Sequence, residues 1–313
     1  MMKLDISSTK RSSPMTIIAL FCEIDDFFLT YEKRMASQCL PEALAIETRG
    51  RPRQLHPSEV MTLLIAFHQS GYRTFQHFYE RHVCVYWRTE FPHLVSYSRF
   101  VQLEKEVLTL LRLYLATPLG DCSGISFVDS TRLRVCDTKR ISSHRVFAGK
   151  AERSKTSMGG FYGFKLHLII NDIGDLLDVV LTPANTDDRK PLWGMNPDGQ
   201  FHGSLSADKG YISKDLREKL HKQDVNLVYK VRKNMDPLDV SVCDEVLLKK
   251  RTLVESVIKE LKTQTQVEHS RHRSFENFQV NVASALIAYQ LSANKPSLNF
   301  DELQQSSDLP LLF

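Results

Sequence analysis

The sequence predicts an α/β domain beginning near residue 121, preceded by a helical region. Three observations carry this. Apolar residues recur at helical spacing from about 15 to 120; after Pro118-Leu119-Gly120 they fall into short β-type runs; and those runs then alternate with helical stretches. The expected division is a helical region over 1–120, an α/β domain over 121–295 and a tail over 296–313.

Each element has its own signal. Residues 1–14 are polar and serine-rich and are expected to be loosely ordered. The clearest early helix starts at Pro57-Ser58-Glu59, with Ser58 as its expected cap and Glu59 suited to the positive helix end. Val60, Leu63, Leu64 and Phe67 continue it at helical spacing until Gly71. A second helix is predicted over about 98–115, with Phe100, Leu103, Val107, Leu110, Leu111 and Leu115 along one side. Ile125 to Cys136 reads as a strand. In 162–170, Tyr162, Phe164, Leu166, Leu168 and Ile170 alternate with Lys165 and His167, and Asp172-Ile173-Gly174-Asp175 turns the chain into a returning strand over 176–181. A short strand over about 204–208, a helix capped by Ser213, a strand from Val225 to Val231 and helices over about 245–263 and 275–292 complete the order.

Composition excludes several classes. The chain is 42% hydrophobic and 25% charged, as expected of a globular protein, and its 313 residues bury a core unaided. The net charge of +4 is compatible with nucleic acid without establishing it. Six scattered cysteines with no CxxC pair read as free thiols rather than as a zinc or disulfide frame. No apolar run reaches the roughly 20 residues of a membrane helix; the longest, Met15 to Cys22, stops at Glu23, Asp25 and Asp26. A cytoplasmic protein is expected, with no membrane partner.

Three acids stand out by location. Asp129 lies within an apolar strand, where a carboxylate is costly unless paired, hydrogen-bonded or bound to a cation. Asp208 ends a short strand, where α/β folds present ligands. Glu255 lies on a helix, on one face with Arg251, Lys259 and Lys262, while Glu260 is about 140° around that helix. Taken singly, each has an ordinary explanation in a turn, a loop exit or a surface ion pair. Residues 139–165 carry seven basic side chains, including Arg153, Lys155 and Lys165, against one acid, Glu152, with aromatics interleaved. Such a segment suits phosphate contact. The smaller basic cluster His269-Ser270-Arg271-His272-Arg273 is divided evenly between surface and DNA contact. Gly159-Gly160 with Gly163 lacks the spacing and lysine of a phosphate loop.

Taken in order, Val128-Asp129-Ser130-Thr131, the segment Gly159 to Leu168, Pro183-Ala184-Asn185-Thr186-Asp187-Asp188-Arg189, Ala207-Asp208-Lys209-Gly210-Tyr211 and Arg251-Thr252-Leu253-Val254-Glu255 resemble the DDE transposases of bacterial insertion sequences, most closely the insertion-sequence 982 family. The likeness spans about residues 55–292. One departure is that related families often place Tyr, Arg, Glu and Lys on the last catalytic helix, whereas here Leu248 holds the tyrosine position.

The resemblance implies a ribonuclease-H-like mixed sheet flanked by helices, with Asp129 on the first catalytic strand, Asp208 on the fourth and Glu255 on the helix beyond the fifth. It implies an enzyme that binds element ends, cleaves DNA and transfers the strand, with Asp129, Asp208 and Glu255 as catalytic metal ligands. An Asp–Asp–Glu set without His or Cys suits Mg²⁺, with Mn²⁺ as substitute. Arg153, Lys155, Lys165, Arg251 and Lys262 are the expected DNA contacts. Asn185, Asp187 and Asp188 are read as supporting residues rather than direct ligands. The partners implied are double-stranded DNA, as element ends and as target, with the helical region reading the ends. Two paired ends imply at least a homodimer, at the nucleoid. Two rivals stay open: a host-adopted nuclease of the same fold that does not join strands, and an inactive DNA-binding relic.

Overall fold

The structure, a computed structural model, describes residues 15–37, 55–117, 119–156, 159–196, 199–231, 241–268 and 272–298. The expectation for residues 1–14, most of the predicted tail, and His269-Ser270-Arg271 lie outside the described residues.

The helical region contains α1 (Ile17–Ser37), α2 (Pro57–Gln69), α3 (Phe75–Phe78), α4 (Cys84–Tyr86), α5 (Tyr97–Leu103) and α6 (Leu108–Leu115). Helix α1 buries Leu20, Ile24 and Phe28, one residue per turn, against α2. Helix α2 is buried over nearly its whole length, so its apolar residues run around the axis rather than along one stripe. Its cap differs from expectation. His56 is the capping residue: its ring accepts from the Ser58 amide, and Glu59 reaches back to the His56 amide at 2.6 Å. Pro57 occupies the first turn, where its missing N–H costs nothing. Ser58 instead donates its hydroxyl to Asp25 at 2.7 Å, tying α2 to α1.

The helix predicted over 98–115 is interrupted by a 3-10 turn at Glu104–Val107, where the buried Glu104 accepts from the Asn277 side chain at 2.7 Å. Burial pushes the Glu104 carboxyl up to about 8, with the Asn277 hydrogen bond opposing. Between its ordinary 4.5 and about 8, the unfolded chain releases a proton that the folded chain keeps. Stability therefore falls as pH rises through that window. Glu104→Gln keeps the acceptor and removes the ionisation, so it should flatten the fall in thermal midpoint across the window. A pH slope identical to wild type in Glu104→Gln would exclude Glu104 as its source.

Six strands form one mixed sheet: β1 (Ile125–Cys136), β2 (Glu152–Thr156), β3 (Gly159–Asn171), β4 (Leu176–Pro183), β5 (Gly203–Ala207) and β6 (Val225–Tyr229). Strand β3 pairs antiparallel with β1 along one edge, and with β2 and then β4 along the other. Strands β1, β5 and β6 follow in parallel. Strand β2 lies inside the predicted basic loop; alternation is weak in Glu152-Arg153-Ser154-Lys155-Thr156, and pairing with β3 supplies its order. A side chain at Gly163 would put its Cβ 2.1 Å from the Leu133 carbonyl oxygen, beside the bulge between Arg134 and Cys136, so only glycine lets β3 close on β1 there.

Alternation along β1 and β3 divides the core. Phe127, Leu133 and Val135 join Phe164, Leu166, Leu168 and Ile170 on one face. That face is covered by α10 (Thr252–Thr263) and α11 (Phe275–Gln290). Val128 and Ile169 point to the other face, beneath α7 (Arg189–Leu192) and α8 (Lys214–His221). Ser213 caps α8 as expected, accepting from the Leu216 amide. Helix α11 also packs, through Val280, Ala283, Ile287 and Ala288, against the N-terminal helices. The helix predicted over 245–263 is two helices: α9 (Val242–Lys249) ends before Lys250, and α10 begins after Arg251. The mixed sheet flanked by helices is the arrangement the sequence predicted, with Asp208 following β5 and α10 lying beyond β6. Cys22, Cys84, Cys122 and Cys136 are free, and no helix among the described residues is long and apolar enough to cross a membrane.

Candidate active site

The spacing between the first two acids has a structural meaning. Strands β1 and β5 pair in parallel with Phe127 opposite Ser206, and the same register carried two residues further sets Asp129 opposite Asp208. Residues opposite one another in a parallel pair share a face, so both carboxylates start from the α10 side of the sheet. Strand β5 ends at Ala207, and further along β1 side chains take over the backbone groups: Lys262 donates to the Arg132 carbonyl and the Arg134 amide donates to Glu268.

Asp129 accepts from the Ser130 amide at 2.8 Å and from the Arg251 guanidinium at 3.2 Å. Burial raises its carboxyl to about 6, and the nearby Asp208 adds to the rise; the Ser130 amide and Arg251 pull the other way without cancelling it. The rise is therefore chiefly the cost of burying the charged form, with the Asp208 charge a smaller contribution. Asp208 caps the 3-10 turn Lys209–Tyr211, its carboxylate accepting a short hydrogen bond from the Gly210 amide.

Glu255 stands in the first turn of α10, half exposed, and accepts from Arg251 at 2.9 Å. One guanidinium thus spans Asp129 and Glu255, a fork geometry suited to two carboxylates. Among the described residues, no three His, Cys, Asp or Glu side chains lie close enough together to hold a metal ion. Asp129 and Asp208 each lie two residues beyond the Phe127–Ser206 pair, and Arg251 donates to both Asp129 and Glu255. In kind, two half-buried aspartates and a glutamate, three carboxylates beside one shared arginine, fit a hard divalent cation bound by oxygen.

The remaining predicted residues divide into two groups. Arg153 and Lys155 are exposed on β2. Lys165 instead points inward, its ammonium on Asp188 at 3.0 Å and on the Thr186 carbonyl at 2.9 Å. Lys262 ties α10 to β1 through the Arg132 carbonyl at 2.9 Å and pairs with Glu268 at 3.1 Å. Asn185 is exposed, and Asp187 is held down at about 2 chiefly by its side-chain hydrogen bonds from Arg189. His167 is fully buried and donor or acceptor to Thr182 at 2.9 Å; burial lowers it to about 4, so its ring is neutral at neutral pH.

Two groups at the site carried no role in the sequence reading. Ser130 donates its hydroxyl to Asp188 at 2.9 Å. Tyr211 is buried, its hydroxyl raised well above the ordinary value by burial first and then by Asp129, Asp188 and Asp208. Their positions beside Asp129 and three residues after Asp208 were the available signals.

No curated protein matches the chain. Among solved structures, it is similar to a piggyBac transposase synaptic complex with hairpin DNA, at 12% identity over 90% of this chain and 76% of that one, with a TM-score of 0.47. It is also similar to a Mos1 mariner paired end complex with Mn, at 12% identity over 88% of this chain and 96% of that one, with a TM-score of 0.24. A pre-cleavage Mos1 transpososome matches at 13% identity over 90% and 99%, again at 0.24. Likenesses this distant carry no weight here. The family comparison is different: the family described as "Transposase DDE domain" matches residues 119–275, half of the chain, a span that includes Asp129, Asp208 and Glu255. The chain belongs to the transposase DDE-domain family.

Proposed function

We propose that the protein is a DNA transposase that binds the ends of an insertion sequence, cleaves DNA and transfers the strand, with Asp129, Asp208 and Glu255 as the catalytic carboxylates. The observation that carries this reading is the β1–β5 register, which sets two aspartates side by side at a strand end within the matched family span. Mg²⁺, or Mn²⁺ in its place, would be held by these acids, and when bound it supplies activation of an oxygen nucleophile and stabilisation of the leaving oxygen. The chain's own part is to present the carboxylates. The Ser130 amide orients Asp129, the Gly210 amide orients Asp208, and Arg251 holds Glu255 and Asp129 in reach of one another. Because metal and DNA supply the reacting groups, no covalent protein intermediate is needed.

On this reading the region over 1–120 recognises element ends, the domain over 121–295 performs the chemistry, and 296–313 is a tail. Within that family we read the chain as resembling the insertion-sequence 982 group, on the ordered segments around the three acids. The partners are double-stranded element ends and target DNA, engaged by a homodimer or larger assembly in the bacterial cytoplasm at the nucleoid.

The decisive experiment gives the protein a precut duplex end with a free 3′-OH, together with a plasmid and Mg²⁺. Joined product supports transposition; nicking of an uncut end without joining would assign a nuclease; binding with neither reaction would assign a relic.

Arg153 and Lys155, exposed on β2, are read as DNA-backbone contacts. Neutralising both should weaken DNA binding across sequences and lower the salt slope by roughly two, since each phosphate contact contributes about one. An unchanged salt slope in the double variant would return β2 to the role of a solvated strand.

A further inference from the structure

We propose that Asp188 is a positioning residue for Asp129 and acts through Ser130. This rests on the reading of Asp129 as a cation ligand and extends it to the opposite face of the sheet.

Asp129 and Ser130 are consecutive on β1, so their side chains leave on opposite faces. The Ser130 backbone amide donates to Asp129, and its hydroxyl donates to Asp188 at 2.9 Å. One residue therefore links the two carboxylates, and whatever fixes its hydroxyl also fixes the peptide that holds Asp129. The same Asp188 oxygen accepts from Lys165 at 3.0 Å, and Lys165 is anchored again on the Thr186 carbonyl. His167, opposite Ser130 on β3, comes within 3.9 Å of that oxygen and is fully buried, while the Lys165 ammonium lies directly on it. The buried Tyr211 lies near enough to Ser130 and to the charges of Asp129, Asp188 and Asp208 for all four to act on its hydroxyl.

A pair serving packing alone has no reason to meet the residue after Asp129. Here the Lys165–Asp188 pair clamps that residue. The Asp188 oxygen already takes two donors, which suits it to support a ligand rather than to become one.

The test uses the full chain without DNA and measures Mn²⁺ binding from the loss of the free-ion paramagnetic resonance signal, with thermal melts alongside. Asp188→Ala and Ser130→Ala should each weaken Mn²⁺ binding about 10-fold or more, the usual effect of removing a ligand's partner. The double variant should be no weaker than the worse single one, because both changes cut one link. Asp188→Ala leaves Lys165 without its counter-charge and is expected to melt early. Lys165→Met with Asp188→Ala removes both charges, so it should recover thermal stability while Mn²⁺ binding stays weak. Wild-type affinity in that paired variant, or in Ser130→Ala, overturns the proposal. Asp129→Asn separates the two readings. If it loses Mn²⁺ while the Asp188 and Ser130 variants keep it, only the positioning role fails; if it keeps wild-type binding, or wild type binds none, both readings fail.

Discussion

Asp129→Asn and Asp208→Asn each abolish metal-dependent nicking of an end-bearing duplex, while specific binding of that duplex persists. Asparagine preserves shape and one acceptor oxygen but removes the charge that holds a hard cation. Each loss should lower the cleavage rate at least about a thousandfold, equivalent to roughly 4 kcal/mol of barrier. Binding persists because it is spread over many phosphate contacts, of which these acids make none. Folding should be unharmed or improved. Asp129 is raised to about 6, against an ordinary 3.8, so at neutral pH its ionised form already costs the folded state free energy that asparagine does not. Nicking and electrophoretic mobility shift on the same preparations check both halves. Near-wild-type cleavage by either variant would remove that acid from the site.

Glu255→Gln is the second large effect, and its contrast with Glu260→Gln is what makes it informative. Glu255 shares Arg251 with Asp129. Glu260 lies on a different side of α10; burial raises its carboxyl, and it is near enough to Tyr289 of α11 to perturb that hydroxyl. Glu268, the other nearby acid, is engaged with Lys262 and the Arg134 amide. Glutamine at 255 should fold normally and lose cleavage by a factor comparable to the aspartate variants, with a little activity returning in Mn²⁺. Glutamine at 260 should stay active. The reverse pattern, with both variants melting as wild type does, would move the third carboxylate to Glu260.

The elements that were readable in advance are those whose order lies in local patterning. The alternation from Tyr162 to Ile170, the turn at Asp172-Ile173-Gly174-Asp175 and the Ser213 cap each act over a few residues, and each was found as expected. Strand β2 and the breaks at Glu104 and Lys250 were not readable: β2 is ordered by pairing with β3, and the residues at the breaks meet partners distant in sequence, Asn277 for Glu104 and Asp129 for Arg251. The same division runs through the site.

By itself, the sequence determined which acids to examine, since an Asp inside an apolar strand is anomalous wherever that strand packs, and their ordered contexts identified the family. It also determined the two sheet faces, because strand periodicity is local. Only the tertiary structure decided that a separation of 79 residues is a β1–β5 register. It also decided that Lys165 and Lys262 turn inward onto Asp188 and Glu268, leaving Arg153 and Lys155 exposed. The physical reason is that charge and periodicity are properties of a segment, whereas a side chain's partner is set by which segments the packed core brings together.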